Sequence, residues 1–144
     1  PDDIVDTAVG SPLTMIASDG LIQKGKGHPR TSGTYSRILG KYVRERGTLS
    51  LSDAVRKMSL MPAQRLEART PAMKKKSRIQ VGADADLVVF DPEQVIDTAT
   101  YRRPTTPPDG ITHVLVNGVP VVTDGHLVYG VTPGVGVRAP KSTR

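Results

Sequence analysis

The sequence has 144 residues, with 20 Lys and Arg against 14 Asp and Glu, and a formal net charge of +6. It contains no Cys, which excludes a disulfide framework, thiolate zinc sites and a cysteine nucleophile. No apolar run approaches the ~20 residues that span a bilayer, and no signal peptide opens the chain, so it reads as cytoplasmic with no membrane partner. The length corresponds to a single domain with a modest core. A first residue of Pro rather than Met points to a piece of something longer.

The basic balance raises the question of a nucleic-acid partner. Positive charge clusters at Arg44 and Arg46, then at Lys74, Lys75, Lys76 and Arg78. Nucleic-acid binders add stacking aromatics or a groove-reading motif to such charge. Here Tyr35, Tyr42, Phe90, Tyr101 and Tyr129 are scattered and do not interleave with the basic run. The expectation is a solvated charged surface and no nucleic acid.

In chain order, residues 2 to 9 read as a helix capped by Asp2 or Asp3 and broken at Gly10-Ser11-Pro12. Leu13 to Ala17 is an apolar run of buried-strand length, stopped by Ser18-Asp19-Gly20. Residues 20 to 33 hold glycines without apolar periodicity and read as a loop. Tyr35, Ile38, Leu39, Tyr42 and Val43 then mark one helical face, with Gly47 suited to the C′ position. A second helix begins near Ser50 or Ser52 and carries Leu51, Val55 and Met58 inward. Pro62 suits the first turn of a further short helix through Leu66.

Past a polar, basic connection at residues 69 to 78 the character turns to β. Leu87 to Phe90 and Ile111 to Val116 read as strands. Asn117-Gly118 is a strong hairpin signal, because a type I′ turn needs positive φ at both positions. Pro120 restricts the return strand, Val119 to Val122, to an edge or a bulge. Asp124-Gly125 offers another turn before His126 to Tyr129. The chain divides into residues 1–78, residues 79–130 and a tail at 131–144.

Few residues carry chemistry by pattern. Phosphate-loop, zinc-helix and nucleophile-elbow signatures are missing. His113 and His126 lack metal-ligand spacing and read as structural or solvated. Asp19 ends an apolar strand before a long loop. It reads either as a strand-end acid, able to ligate a metal or move protons, or as an Asp-Gly turn. Arg30 is either a guanidinium grip for a substrate carboxylate or an ordinary surface arginine. His28 lies in the same glycine-rich loop.

Ser18-Asp19-Gly20-Leu21, His28-Pro29-Arg30 and Leu39-Gly40-Lys41-Tyr42 together resemble the D-aminoacylase group of the amidohydrolase superfamily. The resemblance continues through Met61-Pro62-Ala63-Gln64-Arg65-Leu66, Gly82-Ala83-Asp84-Ala85-Asp86-Leu87 and Val116-Asn117-Gly118. It covers nearly the whole chain. The glycine-alanine-aspartate stretch is shared widely in the superfamily. The pairing of Ser-Asp-Gly with His-Pro-Arg is more specific to N-acyl-D-amino-acid deacylases.

The resemblance implies an α/β plus β fold. Residues 1–78 would supply the last strand (Leu13 to Ala17) and helices of a metal-dependent (β/α)8 barrel. Residues 79–130 would supply the C-terminal part of a small β-sandwich. Asp19 matches the catalytic aspartate, which carries a proton from water to the leaving amine, and is also a possible metal ligand in an incomplete site. Arg30 and His28 fall on the substrate-binding side, with Arg30 holding the carboxylate of an N-acyl-D-amino acid and His28 shaping the loop. The family's zinc takes its other ligands from earlier strands, which this sequence lacks. The chain alone is therefore expected to be inactive, metal-free and marginal or self-associating, missing the N-terminal barrel portion as its partner. Two alternatives stand beside this one: a dihydroorotase- or hydantoinase-like cyclic amidase fragment, and a non-catalytic basic β-rich binding module.

Overall fold

A computed structural model describes residues 2–140; residues 141–144 of the tail lie outside the described residues. The elements run helix first, then a small hairpin, a helical middle and a sheet. Helix α1 (Asp2–Gly10) is stitched to a later helix end by Arg46, which donates to Asp6 at 2.7 Å and also to Asp2. Those bonds hold the Asp2 carboxyl below its ordinary range.

Leu13 to Ala17 pairs with no strand among the described residues, which corrects the expectation of a strand there. A ladder needs a neighbouring strand, and this segment bonds instead to itself, Thr14 to Ser11, and to a helix. The Ile16 amide donates to the Lys57 carbonyl at 3.1 Å. Residues 20 to 33 are also more ordered than a loop. Strands β1 (Ile22–Gln23) and β2 (Lys26–Gly27) form a two-stranded hairpin, its turn made by Lys24 and Gly25 at φ 52° and 75°.

Helix α2 (Arg30–Arg37) runs directly into a π-helical stretch (Ile38–Glu45), as in the 3.0 Å bond from the Arg46 amide to the Lys41 carbonyl. Gly47, at φ 63°, closes it by donating to the Val43 carbonyl at 3.2 Å. Ile38, Leu39 and Tyr42 are buried as their spacing predicts, but Tyr35 is exposed. The buried face is rotated toward Gly33, Ser36 and Gly40 because a later segment lies against these small residues.

Helix α3 (Leu51–Val55) starts at Ser50, whose hydroxyl accepts from the Asp53 amide at 3.1 Å. A π-helical stretch (Arg56–Leu60) and helix α4 (Met61–Glu67) follow without interruption. Here the sequence pattern misleads. Leu51 and Val55 are exposed, and Ala54 and Lys57 face inward. Pro62 has no amide hydrogen, so the Lys57 carbonyl five residues earlier is free to receive Ile16. The Lys57 side chain is only 1% exposed and donates to the Ser11 carbonyl and, at 2.9 Å, to Thr14 Oγ1. Burial lowers its pKa. One residue thus fixes the Ser11–Ile16 segment by main chain and side chain together.

A 3₁₀ turn (Pro71–Lys75) leads to strands β3 (Leu87–Phe90), β4 (Ile111–Val116), β5 (Val119–Thr123) and β6 (His126–Leu127), an antiparallel sheet in the order β3-β4-β5-β6. Asn117 and Gly118 make the β4–β5 turn at φ 49° and 78°. Pro120 faces Leu115 beside a register shift, so the interior strand tolerates it at a bulge. The Gly82–Leu87 stretch locks this turn: Asp86 accepts from the Asn117 amide at 2.8 Å, and the Ala85 carbonyl from Gly118 at 2.9 Å. Lys76 bridges Asp84 at 3.0 Å and Asp86 at 2.6 Å.

The core joins the helical and sheet segments. Val9, Ile38, Leu39, Tyr42, Ala54 and Val95 form its centre, with Phe90 and Ile111 packed against it. Val95 is fully buried, worth about 1.5–3 kcal/mol for a side chain of its size. Much of the basic surface is spent internally. Arg44 donates to the Val95 carbonyl at 2.7 Å, Arg78 pairs with Glu67, and Arg46 and Lys76 are engaged as above.

Candidate active site

Asp19 sits just past the segment that Lys57 anchors. Its backbone takes φ 43°, a left-handed conformation that Asp tolerates better than most residues. Its side chain is 88% exposed and forms an ion pair with Arg30, Nη2 to Oδ2 at 3.0 Å. The chain turns back at Gly20, where a Cβ would lie 2.5 Å from the Thr31 Cα. That absence of a side chain lets the Asp19 turn approach the start of α2. The Thr31 hydroxyl beside it is buried without a hydrogen-bond partner.

Arg30 is the first residue of α2, Pro29 holds its N-cap position, and His28 just before it braces the helix start. The Arg30 amide donates to His28 Nδ1 at 3.1 Å, and the Thr31 amide to the His28 carbonyl at 3.1 Å. These bonds satisfy two of the amides that open a helix, from the residue preceding the Pro29 N-cap position. The other ring nitrogen, Nε2, lies 2.9 Å from the hydroxyl of Tyr101. The two rings meet edge to face, centroids 4.9 Å apart.

Tyr101 comes from the irregular stretch after β3. That stretch is fastened along α2 at several points: Arg37 to Asp97 at 3.2 Å, Ser32 Oγ to the Pro104 carbonyl at 2.8 Å, and Gly33 against Asp97. A cleft of about 460 Å³ opens between them, lined by His28, Arg30, Arg37, Asp97 and Tyr101. The structure therefore brings all three sequence candidates, Asp19, His28 and Arg30, into one connected cluster. His113 and His126 are elsewhere, with His113 3.7 Å from Asp124 and His126 bonded to the Asp124 carbonyl at 2.7 Å. Tyr101 and Arg37 escaped the sequence reading because neither carries a motif. Tyr101 lies in an irregular stretch and Arg37 at the end of a helix, and nothing in the sequence links the two.

An exposed carboxylate can accept and return a proton, and a guanidinium holds a carboxylate by paired bonds. In this pair Arg30 engages Asp19 through Nη2, which leaves further donors of the fork for a ligand. As a metal centre the cluster does not suffice. His28 has both nitrogens committed, and among the described residues no three of His, Cys, Asp and Glu gather as a metal-binding group. Nor is any described helix long and apolar enough to cross a membrane.

A carboxylate and a guanidinium thus meet beside an open cleft. The chain belongs to the amidohydrolase family, whose model matches residues 5–122. It is 47% identical over 107 residues to an N-acyl-D-glutamate deacylase of Alcaligenes xylosoxydans xylosoxydans, a match covering 74% of this chain and 21% of that protein. A solved D-aminoacylase with a binuclear metal centre superposes with a TM-score of 0.80 at 38% identity, covering 90% of this chain and 26% of the other. The N-acyl-D-glutamate deacylase of Bordetella bronchiseptica, complexed with zinc and a phosphonate inhibitor that mimics the tetrahedral intermediate, gives 0.76 at 39% identity, covering 88% and 27%. The chain thus spans about a fifth to a quarter of the relatives it matches.

Proposed function

We propose that this chain is the C-terminal portion of a metal-dependent amidohydrolase that hydrolyses N-acyl-D-amino acids to a carboxylate and a free D-amino acid. Residues 1–78 then contribute the closing elements of the barrel, and residues 79–130 the C-terminal share of the β-sandwich. The zinc of such an enzyme is held chiefly by residues outside this chain.

The observation that carries the reading is the Asp19–Arg30 pair at the edge of the cleft. Asp19 takes a proton from the attacking water and returns it to the leaving nitrogen. Arg30 holds the α-carboxylate of the substrate, and His28 fixes the backbone from which Arg30 springs. When the substrate carboxylate replaces Asp19 on Arg30, the aspartate is released for proton transfer. A simple hydantoin ring offers no carboxylate to make that exchange, so a linear N-acyl amino acid fits better than a hydantoin.

Steady-state kinetics of the complete enzyme test this. Asp19→Asn lowers kcat by about 10²–10⁴-fold, the usual contribution of a positioned acid–base group. Arg30→Lys raises KM with less effect on kcat, because the fork is lost and the charge kept. Near-normal turnover by Asp19→Asn refutes the assignment.

A further inference from the structure

We propose that Tyr101 is a positioning residue for Arg30: its hydroxyl holds the His28 ring so that Nδ1 accepts from the Arg30 amide. This rests on the reading of Arg30 as the carboxylate grip.

The argument begins with the tautomer. A backbone amide can only donate, so His28 Nδ1, 3.1 Å from the Arg30 nitrogen, must be unprotonated. In a neutral imidazole the hydrogen then lies on Nε2. Nε2 is 2.9 Å from Tyr101 Oη, so the ring donates there and the phenol accepts. The Arg30 amide thus sets the tautomer, and the phenol, able to donate or accept, takes the accepting role and anchors Nε2. It also holds the ring plane, because the edge-to-face contact limits rotation.

Tyr101 can do this because its own segment is fixed. The Arg37–Asp97 pair and the Ser32–Pro104 bond tie that segment to α2 on either side of Tyr101. Thr100 and Arg103 close a turn around it, their amides donating to each other's carbonyls at 3.1 and 3.0 Å. The contact spans 73 residues of sequence, yet it bears on the first residue of the helix that carries the guanidinium. Tyr101 is 75% exposed, so its conservative replacement leaves the core untouched.

The test uses the complete enzyme with an N-acyl-D-amino acid. Tyr101→Phe keeps the ring contact and removes the acceptor. It is expected to raise KM about threefold to tenfold with kcat nearly unchanged, the effect of one lost hydrogen bond. Tyr101→Gln, which restores an acceptor, recovers part of the loss. Combining Tyr101→Phe with Arg30→Ala adds nothing to the KM of Arg30→Ala, since the first acts through the second. Nitrogen-15 shifts of the His28 ring show the Nε2–H tautomer in the wild type and a mixture in Tyr101→Phe. An unchanged KM in Tyr101→Phe, a fall in kcat at constant KM, or full additivity with Arg30→Ala overturns the role. If Arg30→Ala itself leaves KM unchanged, the reading of Arg30 fails, and this inference fails with it. If Arg30→Ala raises KM and Tyr101→Phe does not, only the role of Tyr101 falls.

Discussion

Gly40→Ala sets two known effects against each other. Within a helix, alanine is favoured over glycine by about 1 kcal/mol, so propensity alone makes this substitution stabilising. The surroundings say otherwise. A Cβ on Gly40 would lie 2.7 Å from the Val95 carbonyl oxygen and 3.2 Å from the Ile96 Cα, and closer still to Ile96 Cδ1. The Ile96 side chain can swing aside, but the Val95 oxygen is backbone and is held by Arg44 at 2.7 Å. Overpacking of this kind costs about 1–3 kcal/mol, rising with the rigidity of the neighbour. Subtracting the propensity gain leaves a net loss of about 0–2 kcal/mol, toward the upper end because the Val95 oxygen is held in place. In the complete enzyme, Gly40→Ala should lower the urea midpoint of unfolding. It should also raise KM, because pushing Val95 and Ile96 away from the helix carries Asp97 and Tyr101 with them. A higher midpoint, with KM unchanged, would show that the helix and the Val95–Asp97 segment are not in close backbone contact, and the reasoning would fail.

Other outcomes follow from the same contacts. Asp86 has its pKa lowered by the Lys76 and Asn117 bonds, so it contributes stability above the ordinary carboxyl value of 3.8 and loses it as pH falls through the lower folded value. The stability gap between wild type and Asp86→Asn, followed by thermal unfolding across pH, therefore closes below 3.8; a gap constant down to strong acid contradicts the assignment. Lys76 is shifted upward by the same contacts, so its contribution is complete below 10.5 and disappears as pH rises through the folded value. The 144-residue chain expressed alone is expected to self-associate, because Leu13 is 92% and Val81 105% exposed and β3 is an unpaired edge. Sedimentation over a range of concentrations checks this, and a stable monomer with a sharp, concentration-independent transition excludes it.

The parts legible in the sequence were those with local causes. The Asn117-Gly118 turn, the Gly47 stop and the Ser50 cap follow from one or two residues acting on adjacent backbone. Asp19, His28 and Arg30 were singled out by spacing and resemblance, and they meet in one cluster. Features set by distant partners were not legible. Periodicity turned Leu51 and Val55 inward, yet Lys57 takes the buried position because carbonyl and hydroxyl groups await it in the Ser11–Thr14 segment. The Lys24-Gly25 turn lacks the usual Asn or Asp before its glycine, so the hairpin around it left no strong mark. The close approach of Asp97 to Gly33 and of Val95 and Ile96 to Gly40 left no mark in the sequence either.

The long contact between α2 and the Tyr101 segment also bears on how the protein is assembled. His28 and Tyr101 are 73 residues apart, and the entropy of closing so long a loop must be met before their bond forms. Their neighbours supply it, through burial of Val95 against Leu39 and Tyr42. The site is thus completed when the two stretches of chain dock, and neither can shape it in isolation. During refolding, recovery of substrate affinity should trail the formation of helix and sheet and keep time with the burial of Val95, which makes binding a clock for the closing step of assembly.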